Sequence, residues 1–408
     1  MFNVDEIRKD FPYLDIRRNG KPIVYLDNAA TSQKPSQVLD SVYNFYRTNT
    51  ANPHRGGHFL GLKATEAYES AREEIAKFIN ANKTEEIIFT RSSTEALNEI
   101  AYSYGNSNLK KDDEILISIL EHHANLIPWQ RVCEKTGAKL IFSYLNDDYS
   151  LNYEDLKSKI NDKTKIVSIT GASNITGEVI NLKLIAKWAH ENGSIFIADA
   201  AQLIGHHKVD VKDIDCDFLV FSGHKMLSPF GIGVLYGKKD ILDKMIPFNL
   251  GGEMIEYVYE QKSSFAEVPL RFEAGTQNIG GAVGLKSAID YLNKFNSDDI
   301  SSYERKLTEY AYDLVKDYPN LQLYYPPKEK AGNILTFNYT DIHPHDVSTI
   351  IDSLSNVAVR SGHHCVMPLH TYWNVSSTCR ASFSFYNTKE EVEIFAKSLK
   401  EVRKVMGL

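Results

Sequence analysis

Paired cysteines are missing from this sequence. The four cysteines, Cys133, Cys216, Cys365 and Cys379, fall in no CxxC and in no other paired spacing. That argues against a disulfide framework and against a zinc-finger type of site, and no metal is expected. Long apolar runs are missing too. No stretch approaches the roughly 18 uninterrupted apolar residues of a membrane helix. The polar, mixed-charge stretch Met1–Asp10 has no apolar core of the signal-peptide kind. There are no internal repeats and no low-complexity tract. An excess of positive charge is absent as well. The formal net charge is −7, which argues against general nucleic-acid or anionic-membrane binding. A reducing cytoplasm is the expected location, with neither nucleic acid nor membrane as partner.

What is there is an ordinary globular composition, 43% hydrophobic and 24% charged over 408 residues. That length suffices for a large core and two domains. Strand-like and helix-like stretches alternate from residue 86 onward. Expected strands are 86–90, 114–120, 139–145, 165–170, 194–198, 217–221 and 232–236, and expected helices 93–104, 124–136 and 182–191, all preceded by a charged amphipathic helix at 62–81. This beat predicts an α/β domain with a mostly parallel, buried sheet and functional groups at strand carboxyl ends. Past Gly284 the beat changes to helices 285–295 and 302–317, strands 333–339 and 381–385, and a closing helix 390–405. The expected division is an arm at 1–20 packing with the small domain, a large domain at 21–284, and a smaller α+β domain at 285–408.

The stretch Asp217 to Lys225 is the pivot. An apolar strand runs into Ser222 and Gly223 and delivers one lysine to a turn. A desolvated lysine amine can lose its proton and form a Schiff base with an aldehyde. Elsewhere Ser92-Ser93-Thr94-Glu95 opens a helix, where hydroxyls and free amides suit a phosphate. Asp199 ends a buried strand and needs a cationic or hydrogen-bonding partner. His122, His123 and Asn174 follow other strand ends. Singly, each group has an ordinary structural explanation. Together they are what a phosphorylated pyridine aldehyde requires.

Eight motifs then carry a resemblance. They are Tyr25-Leu26-Asp27-Asn28-Ala29-Ala30, His54-Arg55-Gly56, Glu121-His122-His123-Ala124-Asn125 with Pro128-Trp129-Gln130, and Asp199-Ala200-Ala201-Gln202. Phe221-Ser222-Gly223-His224-Lys225 and Arg271-Phe272-Glu273-Ala274-Gly275-Thr276 follow, and Arg360-Ser361-Gly362-His363-His364-Cys365 and Cys379-Arg380-Ala381-Ser382 close the series. In this order the chain resembles pyridoxal-phosphate enzymes of the aspartate-aminotransferase fold, class V branch. Within that branch it is similar to the Suf-type (group II) cysteine desulfurases, also called selenocysteine lyases.

The resemblance implies roles. Lys225 would hold the cofactor and move the Cα proton. Asp199 would pair with the pyridine nitrogen, Gln202 with the ring hydroxyl, and His122 would stack on the ring and assist proton transfer. Ser93, Thr94, Ser222 and His224 would hold the phosphate, with Thr276 reaching the phosphate of the other subunit in a homodimer. Arg380 would bind the substrate carboxylate, with Asn174 and Arg360 near the substrate and His54 and Arg55 at the mouth of the site. Cys365 would be the reactive thiol, its thiolate favoured by His363, His364 and Arg360. L-cysteine would lose its sulfur to Cys365 as a persulfide and leave as alanine, feeding iron–sulfur cluster assembly through a sulfur acceptor of the Suf system. Selenocysteine is a second candidate substrate. His345 would become a zinc ligand if that acceptor carries zinc; the alternative is a loop histidine at a helix start. Two other classes stay open at this point: a class V enzyme acting on another amino acid, such as cysteine sulfinate or kynurenine, and a non-enzymatic binding protein of the same fold.

Overall fold

Strand alternation decides the architecture. In a computed structural model describing residues 2–408, the central strands are β1 (Ile87–Thr90), β2 (Glu114–Ser118), β3 (Lys139–Ser143), β4 (Thr164–Thr170), β5 (Ile195–Asp199), β6 (Phe218–Ser222) and β7 (Gly233–Gly237). Successive side chains point to opposite faces. Thus Ile115 and Ile117 enter one core while Leu116 enters the other. A sheet apolar on both faces must be covered on both. One face takes the helices Phe59–Phe78, Leu182–Glu191 and Ile279–Leu292, and the other takes Ser93–Ile100 and Ile127–Thr136.

The sheet order is β1-β7-β6-β5-β4-β2-β3. Only β7 runs against the rest, pairing antiparallel with both β1 and β6. The mostly parallel sheet is as expected, and the carboxyl ends of β1, β2, β4, β5 and β6 converge on one side. A close approach fixes one of them. A Cβ on Gly233 would lie 2.6 Å from Ser92 Cα, so only glycine lets β7 pass beneath the start of the Ser93–Ile100 helix.

A second core sits under a four-stranded sheet of β8 (Leu321–Tyr324), β9 (Ile334–Tyr339), β10 (Arg360–Gly362) and β11 (Thr378–Ser382), in the order β8-β9-β11-β10. Helices Ser297–Val315, Pro344–Ser355 and Lys389–Val405 cover it.

The division of the chain differs from expectation in two places. Helix Ile279–Leu292 crosses residue 284 without a break, and its Leu285, Ala288 and Ile289 belong to the large core. Its apolar face is continuous through residue 284. The arm is also divided. Ile7 and Phe11 enter the large core, while Arg8 bridges to Glu391 and Arg18 to Asp352 on the small-unit helices. Val24 and Leu26 belong to the second core, and Val24–Tyr25 pairs in parallel with Val357–Ala358. Among the described residues, no helix is long and apolar enough to cross a membrane.

Candidate active site

The converging strand ends and the small unit enclose a cavity of about 180 Å³. Among its lining residues are Ser93, Thr94, His122, Asn174, Asp199, Gln202, Ser222, His224, Lys225, Arg360, Cys365 and Arg380. Residues dispersed over almost 290 positions of sequence are thus gathered by topology into one place (380 − 93 = 287). Three expected residues lie elsewhere in this chain. Thr276 is exposed and lines a separate depression beside Glu273 and Gln277. His54 Nε2 contacts Glu69 at 2.8 Å, and Arg55 Nε donates to Glu253 at 2.9 Å.

Lys225 follows β6 in a short 3-10 turn, half-buried, and is in no ion pair among the described residues. Burial lowers its pKa to about 8; the nearby Arg380 works in the same direction and Asp199 against it. Asp199 is buried at the end of β5, where burial raises its carboxyl pKa. Its Oδ1 accepts a hydrogen bond from Ala201 N–H at 2.9 Å, and among the described residues no ion pair neutralises it. His122 is driven down to about 3, mainly by burial and then by the charge of Lys225, so it is a neutral ring over the cavity. Its Nδ1 accepts from Ala124 N–H at 3.0 Å.

At the Ser93 end of the cavity, Ser93 N–H donates to Ser222 Oγ at 2.8 Å, and the two hydroxyls meet at 2.9 Å. His224 is held neutral, near 4, chiefly by burial. Its buried Nδ1 has no partner in the protein. Gln202 Nε2 donates to Ala29 O at 2.7 Å, which orients the amide.

On the opposite side two arginines stand together. Arg360 and Arg380 are cross-strand partners on β10 and β11, and like charges so placed repel. Arg380 is buried. Its Nη1 donates to Asn174 O at 2.7 Å, its Nη2 pairs with Asp27 at 3.1 Å, and its Nε is left without a partner. One carboxylate between two guanidiniums leaves room for a second anion.

Several participants were not singled out by sequence. Asp27 was visible only as part of a motif, with no signal that it faced Arg380. Lys34 donates to His224 O at 3.0 Å and to Thr31 Oγ1 at 3.2 Å, and burial takes its pKa to about 8. Glu121 is buried behind His122. It accepts from Ser118 Oγ at 2.6 Å and from Asn125 Nδ2 at 2.6 Å, and burial raises its pKa to about 8.

The expected help of His364 to the Cys365 thiolate does not stand. His364 is buried, its Nε2–H donates to Thr378 O at 3.0 Å, and desolvation holds it neutral. It brings no charge. The charged groups within electrostatic reach of Cys365 are instead Lys225 and Arg380. The other thiols are ordinary. Cys216 and Cys379 are buried with raised pKa values, and Cys133 is pushed up to about 11 by burial.

This donor set fits pyridoxal phosphate. A buried carboxylate has no cation in ion-pair contact, a lysine amine gives up its proton more readily than usual, and a serine pair with an unpartnered His224 Nδ1 stands where a phosphate would bind. The comparisons agree. The Aminotransferase class-V family model matches residues 24–395. The chain belongs to the class V aminotransferase family, within its cysteine desulfurases. A relative in Halalkalibacterium halodurans named probable cysteine desulfurase is 48% identical over 99% of both chains. Among solved structures, an apo cysteine desulfurase from Thermococcus onnurineus NA1 matches with a TM-score of 0.92 at 39% identity, covering 99% of this chain and 98% of its own. The Escherichia coli cysteine desulfurase CsdA matches with a TM-score of 0.91 at 34% identity, covering 99% of both.

Proposed function

We propose that this chain removes sulfur from L-cysteine as a Suf-type desulfurase, storing it as a persulfide on Cys365 and releasing L-alanine. The observation that carries the reading is the sharing of one small cavity by Cys365, Lys225 and Arg380. Bound pyridoxal phosphate supplies the electron sink for charge released at the substrate Cα. Asp199 would hold its ring nitrogen, Gln202 its ring hydroxyl, and Ser93, Thr94, Ser222 and His224 its phosphate.

The protein's own groups do the rest. Arg380, with Arg360 and Asn174 beside it, grips the substrate carboxylate. Lys225 takes the Cα proton and gives a proton back at Cα as alanine forms. His122, neutral and lining the cavity, would cover one face of the bound cofactor and exclude water. The Cys365 thiolate attacks the substrate sulfur. An S–S bond forms, the C–S bond breaks, and its electron pair goes to Cβ, which takes up a proton on the way to alanine. The decisive test is the mass of the Cys365 peptide after the cofactor-loaded protein meets L-cysteine without reductant. One added sulfur supports the reading; an unmodified Cys365 beside released alanine rejects it.

Two consequences are directly measurable. Arg380→Lys keeps the charge but loses the forked donors, so KM for L-cysteine is expected to rise about 10–100-fold, the worth of a charged hydrogen bond. An unchanged KM would remove Arg380 from substrate binding. The second concerns pH. Only the neutral amine of Lys225 attacks an aldehyde, and its pKa is near 8. Capture of added pyridoxal phosphate by the apoprotein should therefore speed up about tenfold per pH unit below that value and level off above it. A profile that keeps rising toward the usual lysine range would mean that the amine is not desolvated.

The wider setting belongs to the same reading. The unfilled depression beside exposed Thr276, and exposed apolar side chains such as Tyr43, Phe59 and Leu62, support a homodimer in which Thr276, His54 and Arg55 serve the other subunit's site. Sulfur passes onward to an acceptor of the Suf system for iron–sulfur cluster assembly in the cytoplasm, and selenocysteine is an alternative substrate. His345 suits a role in acceptor binding. It is exposed, stacks on His343 with ring centroids 5.2 Å apart, and contacts Ser361 Oγ at 2.9 Å, on the strand leading to Cys365. His345→Ala should lose activation by a zinc-bearing acceptor while basal turnover persists.

A further inference from the structure

Cys365 sits in a turn that ordinary residues avoid. Gly362 has φ +125°, and then His364 (φ +50°) and Cys365 (φ +59°) both take the left-handed conformation. Two successive non-glycine residues there are strained by contact between Cβ and the carbonyl oxygen. Such a turn persists only where its surroundings hold it.

Three contacts from the large unit do so. Asn174 Nδ2 donates to His364 O at 2.8 Å. His123 N–H donates to Cys365 O at 2.8 Å. The ring of the same histidine accepts, through Nε2, from Met367 N–H at 3.0 Å. One residue thus grips both ends of the segment 365–367. His123 is itself held firmly. It opens a 3-10 turn after β2 whose Asn125 donates to Glu121 at 2.6 Å and accepts from Trp129 Nε1 at 3.0 Å and Ser168 Oγ at 2.6 Å. These bonds are buried, so the turn is fixed to the central sheet rather than to the mobile surface of a loop.

We propose that His123 is the positioning residue of the sulfur-accepting thiol, its backbone N–H and ring Nε2 together holding the strained 364–367 turn with Cys365 at the cavity. The adjacent histidines then divide the work: His122 serves the cavity and His123 serves Cys365. The ring must be neutral at Nε2 to accept, and burial lowers its pKa accordingly. The inference rests on the reading of Cys365 as nucleophile.

Two substitutions separate the ring acceptor from its bulk. His123→Phe keeps the ring volume without an acceptor, and His123→Gln supplies a carbonyl oxygen near the place of Nε2. Each cofactor-loaded protein is mixed rapidly with L-cysteine and quenched, and sulfur on the Cys365 peptide is followed by mass. The absorbance change on substrate addition reports the earlier steps. For His123→Phe, sulfur transfer is expected to slow about 100-fold, the cost of a small misplacement of a reacting group. KM and the absorbance change should stay as in wild type. His123→Gln should recover most of the lost rate. A second readout needs no cofactor: alkylation of Cys365 by iodoacetamide in the apoprotein should differ between wild type and His123→Phe and return with His123→Gln. Sulfur transfer and alkylation at wild-type rates in His123→Phe would overturn the proposal. So would equal losses in both variants accompanied by loss of the absorbance change. If wild-type Cys365 gains no sulfur at all, the nucleophile assignment fails instead, and the apoprotein alkylation still decides the role of His123.

Discussion

Cys365→Ala is expected to lower the release of alanine from L-cysteine by about a thousandfold or more, the usual scale for loss of a covalent nucleophile. Binding should survive. Arg380 is fixed by Asn174 O and Asp27, not by Cys365, so L-cysteine should still bind with a near-normal spectral change. The deficit should lie in kcat. The same substitution at Cys133, Cys216 or Cys379 should change turnover little, because burial keeps those thiols protonated. Selenocysteine supplies the contrast. Its weaker C–Se bond can break with less help from an attacking thiol, so Cys365→Ala should retain far more activity toward it. Equal losses on both substrates would place the role of Cys365 before bond cleavage. Unchanged turnover of L-cysteine would remove it from the chemistry.

The large unit was readable because its signals are local. Apolar strands buried on both faces, such as Ile166 to Thr170 and Phe218 to Ser222, announce a covered parallel sheet, and the groups just beyond their ends announce the site. Gly284, at the expected boundary, sits inside a helix. Its absent side chain answers Pro229 and Val42, which a Cβ would approach to 2.6 and 2.8 Å, so this glycine serves close packing. Strand ends differed by one to three residues: apolar Ile119 and Leu120 lie beyond the end of β2, whereas polar Ser222 still pairs with Gly233 in β6 and β7.

Motif order named candidate residues that share one cavity, but not the contacts that hold them. Asp27 meets Arg380 across 353 positions of sequence (380 − 27), and His123 meets Met367 across 244. No local pattern encodes such pairs. The electrostatics also depended on depth. Neighbouring histidines suggested charge near Cys365, yet His364 is buried under the turn and neutral. Spacing alone does not distinguish a buried imidazole from an exposed one.

Lys225→Ala tests the other half of the mechanism, and its effect should be as large as that of Cys365→Ala but different in kind. Ser93, Thr94, Ser222 and His224, the residues proposed to hold the phosphate, and Asp199 line the cavity independently of the lysine side chain. Pyridoxal phosphate should therefore still bind to the variant, now without a covalent link, and wash out on dialysis. Lys225 is the amine at the cavity poised near pH 8, the value suited to exchanging a proton near neutrality. His122, with a pKa near 3, is the weaker base. Removal of the Cα proton should slow by about a thousandfold, and alanine and the Cys365 persulfide should disappear together. Cys365→Ala, in contrast, should leave exchange of the Cα proton with solvent intact. Incorporation of deuterium from heavy water into recovered L-cysteine separates the two: present in Cys365→Ala, absent in Lys225→Ala. Lys225→Arg should not rescue, because a guanidinium stays charged at this pH and carries no proton away. A small added amine such as methylamine should restore part of the exchange in Lys225→Ala by occupying the vacated space. Exchange in Lys225→Ala at the wild-type rate would show that another group, with His122 the first to examine, moves the proton.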